Sequence, residues 1–178
     1  MSNTCQTRRP CFVLVTEWVL TAPAERIWDA LTAPDEWPRW WRYVERVDLV
    51  QRGDRDGIGA VHRYTWTSRL PYRLTFDMTT RTLAPPHAIE GVASGDLEGV
   101  GRWSLSARRR AVHVCYDWRV TPGKPWMRRL APLFAPVFAW NHDQVMAAGG
   151  RGLAHHLGVP LLAHRRLSAR RTGAAISM

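Results

Sequence analysis

The stretch PVFAWNHDQVMAAGGRGLAHHL, residues 136–157, decides the fold because its apolar residues recur with helical spacing. At 1.5 Å per residue this helix is about 33 Å long, enough to cross a whole sheet. Phe138 and Val145 fall on one stripe when residues are placed at 100° intervals. Residues 126–135 predict a preceding helical segment, and the proline at position 136 either starts or kinks the longer one.

Asn141, His142 and Asp143 interrupt this apolar helix. A buried polar group costs free energy unless something pairs with it, so such a run needs an explanation. Asn141 and His142 flank the apolar stripe and are expected to point inward, whereas Asp143 points to a solvated face. A neutral His142 is a candidate base for an enolisable substrate, and Asn141 could hold a carbonyl oxygen. The alternative is a structural role, with His142 hydrogen-bonded to a strand residue or a buried water.

Before this helix, most of the chain alternates apolar and polar side chains, which is typical of antiparallel strands with one wet face. The predicted strands lie in CFVLVTEWVL (11–20), YVERVDLVQRG (43–53), GAVHRYTWTSRL (59–70), PYRLTFDMTTR (71–81), HAIEGVASGDLEGVGRWSL (87–105) and AVHVCYDWRV (111–120). The fifth segment contains two strands, with SGD as the turn between them. The pattern therefore predicts about seven strands.

Two short helices are predicted between the first two strands. Residues 24–31 form a helix that begins after Pro23 and ends before Pro34, and a second turn carries Trp37, Trp40 and Trp41. One sheet with a single wet face must cover its other face, and the long C-terminal helix is the only element long enough. The expected class is therefore α+β, with a space between helix and sheet.

This order of elements resembles the START-like SRPBCC superfamily, also called the helix-grip fold. APAERIWDALTAPDEWPRWWRYV (22–44) is similar to its helix pair, while ASGDLEGVGRWSL (93–105), VCYDWRV (114–120) and KPWMRRLAPLFAPVFAWNHDQVMAAGGRGLAHHL (124–157) are similar to bacterial polyketide cyclase/dehydrase-like members. The resemblance covers residues 11–158. It implies a curved antiparallel sheet wrapped on the C-terminal helix, and an internal cavity for an apolar or aromatic small molecule. The superfamily hosts carriers, receptors, aromatases and cyclases, so it does not decide the activity.

Rings and apolar side chains on the inward faces are the candidate ligand-binding residues, since ligand pockets are mostly apolar with a few placed polar groups. They are His62, Tyr64, Trp66, Tyr72, Phe76, Trp103, Tyr116, Trp118, Phe138 and Val145, joined by Trp40 and Trp41 as part of a lid over the cavity mouth. The alternative is that these rings simply fill the core. For the lid, the alternative is a buried satellite core, and the lid requires at least one ring to be partly accessible to solvent.

Three functions from different classes remain open at this point. The first is binding, transport or sensing of a hydrophobic or aromatic small molecule. The second is a polyketide cyclase, aromatase or dehydratase that uses His142 with the help of Asn141. The third is an interaction module that acts through the arginine-rich C-terminal tail, which would require a filled core without a pocket. A base should lie within about 3 Å of a second polar group and beside open volume.

Composition limits the partners. The chain of 178 residues has a formal net charge of +10, but its arginines are spread along the whole length, which argues against nucleic acid. No span or signal peptide is predicted, so a cytoplasmic protein is expected, with peripheral contact to a membrane surface left open. No cofactor motif occurs, and His142 and His156 would lie about 21 Å apart along the helix, too far for one metal ion. Oligomeric state is not determined by the sequence.

The expected organisation is one domain, residues 11–158, between two extensions. Residues 1–10 form an N-terminal extension, and residues 159–178 form a basic, flexible tail. Gly149, Gly150 and Gly152 sit within the predicted helix, where each costs up to about 1 kcal/mol relative to alanine. Either a close approach of the helix to its neighbours or room for a ligand explains them.

Overall fold

The computed structural model describes residues 12–69 and 72–167, apart from the side chains of Leu130, Pro132 and Phe134. The strands are β1 (Phe12–Leu20), β2 (Val44–Gln51), β3 (Val61–Trp66), β4 (Leu74–Ala84), β5 (Ala88–Gly95), β6 (Leu97–Arg108), β7 (Ala111–Pro122) and β8 (Leu161–Leu167). The helices are α1 (Ala24–Thr32), a 3₁₀ turn (Pro34–Glu36), α2 (Trp37–Trp40) and α3 (Pro125–Leu157).

All the strands join one curved antiparallel sheet, in the order β2-β3-β4-β5-β6-β7-β1-β8. Strands β2 to β7 follow one another in the sheet as they do in the chain, and β1 pairs with β7 along its whole length, from Phe12↔Val120 to Leu20↔Val112. The helix α3 packs against β1, β7 and β8, while α1 and α2 lie beside it. The α+β helix-grip fold predicted from the pattern is confirmed.

The described residues form eight strands, one more than expected, because part of the supposed tail forms β8. This strand pairs with β1, with Glu17 opposite Arg165 and a distance of 3.4 Å between their Oε2 and Nη1 atoms. Edge strands commonly carry charged side chains, which hides the alternation from a sequence search. The expectation of a flexible tail is wrong for residues 161–167, while residues 1–10 and 168–178 lie outside the described part of the chain.

The long helix is continuous from Pro125 to Leu157, so Pro136 does not start a separate helix. Pro125 occupies the first turn, where the missing N–H has no partner to lose. Gly158 ends the helix in the left-handed conformation, with φ 66°, and donates its N–H to the His155 carbonyl. No helix of the described residues is long and apolar enough to cross a membrane.

The glycines of α3 allow tryptophan rings to approach the helix backbone. A Cβ atom on Gly149 would overlap the ring of Trp41, and one on Gly152 would overlap the backbone carbonyl oxygen of Trp40. The indole of Trp41 also donates a hydrogen bond to the Val145 carbonyl at 2.9 Å. Close packing, and not room for a ligand, is therefore the reason for glycine at both positions.

A candidate ligand site between helix and sheet

Two neighbouring chambers lie on the inner face of the sheet. Chamber 1 has a volume of about 140 Å³ and lies under the middle of α3; chamber 2 has a volume of about 200 Å³ and lies between the sheet and the end of α1. Both chambers are bounded by Trp37, Trp66, Phe76, Trp103 and Tyr116. These five rings form a shared aromatic wall, within which Trp103 and Tyr116 stack with their centroids 4.2 Å apart.

Most of the predicted ligand-binding residues line one chamber or both. Chamber 1 is lined by Trp41, Trp66, Tyr72, Phe76, Trp103, Tyr116, Trp118, Phe138 and Val145, together with Asn141 and His142. Chamber 2 is lined by His62 and Tyr64, besides the shared wall. The inward faces of the strands and the helical stripe therefore meet at the chambers, while a role of these residues in ligand binding stays a prediction.

Trp40 lines neither chamber, and the three tryptophans near the predicted cavity mouth do not form an accessible lid. Trp37, Trp40 and Trp41 are all buried, and Trp40 stacks on Trp41 with centroids 5.4 Å apart. Trp37 and Trp41 contribute to the chamber walls from within the core. The cluster therefore matches the alternative of a buried core, because glycines on α3 let the rings sink against the helix.

Asn141 and His142 are the polar groups that α3 contributes to chamber 1. Asn141 is only 7% exposed, and its Oδ1 has no hydrogen-bond partner among the described residues. The Nε2 atom of His142 is also buried without such a partner. A buried polar atom without a hydrogen bond costs about 1–3 kcal/mol, so both are conspicuous in a core that is otherwise well packed.

The imidazole of His142 is held in its neutral form. Burial, helped by the charges of Arg166 and His164, lowers its pKa to about 4. Asp143 points away from the chamber and lies 3.6 Å from Nε2 of His164 on β8. That distance is longer than a hydrogen bond, so the pair is a loose electrostatic contact on a half-buried face. The three polar residues of the run thus have different surroundings.

Chamber 2 is lined by His62 and Tyr64, besides Glu90 and the shared aromatic wall. Burial lowers the pKa of His62, and the nearby charge of Asp35 offsets part of that effect. Burial raises the pKa of Tyr64, so its hydroxyl stays protonated at neutral pH. Both groups are therefore uncharged hydrogen-bonding groups at the wall of this chamber.

Several lining residues were not predicted as ligand-binding residues. Phe12 and Leu14 reach chamber 1 from β1, and Met146 reaches it from α3. The alternation of the first strand pointed to the first two, while Met146 lies one residue from the predicted stripe. Among the described residues that line chamber 1, none is charged. In the same described ranges no group of three His, Cys, Asp or Glu side chains is close enough to hold a metal ion.

The fold and the apolar chamber 1 under α3 define a helix-grip protein with a cavity between helix and sheet. A model of the family described as polyketide cyclase/dehydrase and lipid transport matches residues 13–156. The chain belongs to this family, because the match covers well over half of it. No curated protein is similar enough in sequence to count as a match.

Solved structures share the fold at low sequence identity. TTHA0849 from Thermus thermophilus superposes with a TM-score of 0.66 at 13% identity, covering 82% of this chain and 99% of that one. The Zhui aromatase/cyclase from Streptomyces sp. R1128 gives 0.64 at 12% identity, covering 83% and 93%. The di-domain ARO/CYC BexL from the BE-7585A biosynthetic pathway gives 0.63 at 15%, covering 82% and 50%. At such identities the likeness shows the fold alone.

Proposed function

We propose that the protein binds a neutral aromatic small molecule in chamber 1, with Asn141 as its polar anchor. The observation that supports this most directly is an uncharged chamber, lined by ten phenylalanine, tyrosine and tryptophan rings, beside a buried amide whose Oδ1 has no partner among the described residues. A half-turn of the amide exchanges oxygen and nitrogen, so Asn141 can offer an acceptor or two donors to a ligand. A ligand with one hydroxyl group fits this chemistry.

The size and charge of the chamber narrow the class of ligand. A volume of about 140 Å³ is close to that of an engineered cavity of about 150 Å³ that binds benzene. A single ring therefore fits chamber 1 as it stands. A carboxylate would be buried without a cation, which costs far more than burying a hydroxyl.

Three one-ring probes of almost equal shape test the proposal. We expect isothermal titration calorimetry to find the tightest binding for p-cresol, weaker binding for toluene and none for 4-methylbenzoate. Asn141→Leu keeps a similar volume and should weaken p-cresol binding by about tenfold, because one hydrogen bond to a buried group contributes about 1–1.5 kcal/mol. The same variant should leave toluene binding unchanged. Tightest binding of 4-methylbenzoate would contradict the proposal.

A second function, cyclisation or dehydration with His142 as the base, is favoured by one observation. His142 lines chamber 1, and no group of the described residues occupies its Nε2. However, a pKa of about 4 makes the imidazole a weak base at neutral pH, whereas an efficient general base has a pKa near the working pH. Binding therefore agrees better with the geometry than catalysis does.

The pH profile of turnover separates the two functions. If a cyclase acts through His142, its rate should rise through the pKa of that residue, and His142→Gln should abolish turnover while p-cresol still binds. The interaction-module alternative fits less well, because it requires a filled core and the sheet covers two chambers.

A further inference from the structure

The outer face of the first half of α3 carries a stripe of exposed apolar side chains, which we call the α3 stripe. It consists of Trp126, Leu133, Val137 and Trp140. Leu133 and Trp126 are 73% and 61% exposed. At 100° per residue, the four positions fall within about 60° of one another, and they extend over about 21 Å of the helix. An aligned set of this kind is unusual on a surface that has no partner.

The stripe is separate from the ligand site. Phe138 and Val145, which line chamber 1, are about 120° away from it around the helix axis. The inner face of α3 is therefore occupied by the core and the chamber, while the stripe faces outward. Toward the C-terminus the same line continues with Gln144 and Arg151, so the apolar surface is confined to the first half of the helix.

The two charged side chains within residues 125–142 are arginines, and Asp143 follows directly. At 100° per residue Arg129 falls beside the stripe, whereas Arg128 lies on the other side of the helix and donates a hydrogen bond to the Gly123 carbonyl. From the neighbouring β3–β4 connection, the guanidinium of Arg69 lies over the ring of Trp140, 6.0 Å from its centroid. Tryptophan with arginine beside an apolar stripe is the composition of helices that lie in the interface of an anionic lipid bilayer.

We propose that the α3 stripe docks onto a membrane surface that contains anionic phospholipid. A second copy of the chain fits less well, since pairing two stripes would bring the arginines of both copies together without an acid on residues 125–142. Residues 1–11 and 168–178 also fit poorly as a cover, because each contains two arginines and few large apolar side chains. A membrane surface that contains anionic phospholipid matches both the apolar side chains of the stripe and the arginine beside it.

Docking in this orientation would bring chamber 1 close to the lipid. Thr67, Ser68 and Tyr72, which line that chamber, flank Arg69 in the β3–β4 connection, and Arg69 contacts Trp140 of the stripe. The edge of the ligand site and the docking stripe are thus neighbours. An apolar ligand could then pass between chamber and bilayer with a short path through water.

Vesicle sedimentation tests the docking with a matched pair of variants. We expect the full chain to bind vesicles of phosphatidylglycerol and phosphatidylcholine, and to bind pure phosphatidylcholine much more weakly. Trp126→Ser/Leu133→Ser should weaken binding by about tenfold or more, because both side chains lose their apolar insertion. The control Leu49→Ser/Val50→Ser removes two side chains of β2 that are 53% and 51% exposed and should bind like the parent.

Other outcomes would overturn the proposal. Equal loss in the control pair, or equal binding to both kinds of vesicle, would show that the stripe and its charge are not the determinants. A dimer in analytical ultracentrifugation that the stripe variant dissociates, without vesicle binding by the parent, would assign the stripe to self-association. Circular dichroism melting confirms folding of each variant; if the double variant is unfolded, Leu133→Ser alone is used, and an unchanged vesicle affinity for it would overturn the proposal.

Discussion

The two halves of α3 differ in how closely they pack against the rest of the protein. In the second half, Gly149 and Gly152 let Trp41 and Trp40 pack directly against the helix, and hardly any space remains. In the first half and the middle of α3, apolar side chains are exposed on the outer face and chamber 1 lies on the inner face. Asn141 lines this chamber, and its Oδ1 is unpaired among the described residues. One helix thus combines a region that stabilises the fold with a region that leaves surface and polar groups available for partners.

The largest expected effect lies in the second half. Trp40→Ala removes a buried ring that stacks on Trp41 and lines neither chamber. We expect the free energy of unfolding in urea to fall by about 3–5 kcal/mol. Affinity for p-cresol in the folded fraction should stay the same. If binding is lost while stability is kept, the ring belongs to the site after all, and the contrast between the halves fails.

A pair of substitutions to alanine compares the two halves directly. Gly152→Ala gains helix propensity of about 1 kcal/mol, but its Cβ would overlap the Trp40 carbonyl, and we expect a net loss of about 3 kcal/mol. Leu133→Ala, on the exposed stripe, should change stability by less than about 0.5 kcal/mol. Thermal melting measured by circular dichroism compares the two. A stable Gly152→Ala protein would show that the second half is less tightly packed than its geometry indicates.

The low pKa of His142 makes stability depend on pH. Above pH 6.5 the imidazole is neutral in both folded and unfolded chains, so it has no effect. Between pH 6.5 and about 4 the unfolded chain takes up a proton that the folded chain does not, so stability falls as the pH falls. The loss is at most about 3 kcal/mol at pH 4.

His142→Gln provides the control for this pH effect. Urea unfolding at pH 7 and pH 4.5 should show a smaller difference between the two pH values in this variant than in the parent. The pKa values of His62 and His164 are also lowered by burial, so part of the slope should remain. An unchanged slope would mean that His142 is accessible to protons in the folded protein.

The smallest expected effect is a gain in stability, in contrast to the losses expected for the substitutions in the second half of α3. Asn141→Leu removes the unpaired amide, so we expect the free energy of unfolding of the ligand-free protein to rise by about 1 kcal/mol. Gln144→Leu, on the outward face of the same helix, should leave stability within about 0.5 kcal/mol of the parent. Loss of stability in Asn141→Leu would show that the amide serves the fold and not a ligand.

Local patterns predicted most of the fold. Alternation and turn residues located seven strands, and the helix Ala24–Thr32 ends within one residue of its predicted end. The strand β8 was missed because its partner β1 lies far away in the sequence and its arginines break the apolar alternation. The continuity of α3 through Pro136 was missed because contacts with the sheet, which no local rule includes, support the helix on both sides of the proline.

The sequence predicted which residues of the candidate site face the interior, but not that the interior holds two chambers. Periodicity indicates which face of an element a residue occupies, and this was sufficient to select Asn141, His142 and the inward rings. Periodicity does not indicate how deeply a ring is buried, because burial depends on the residues of other elements that pack against the ring. Trp40 is the example: it packs against Gly152 and His156 on another helix, more than a hundred residues further along the chain.

The sequence by itself determined the order of elements as far as α3, the α+β class and the faces that meet inside, because these follow from the spacing of apolar residues along each segment. Only the tertiary structure decided that the interior holds two chambers that share Trp103, Tyr116 and their neighbours, and that Oδ1 of Asn141 stays unpaired among the described residues. The physical reason is that volume and hydrogen-bond satisfaction depend on groups brought together from distant segments.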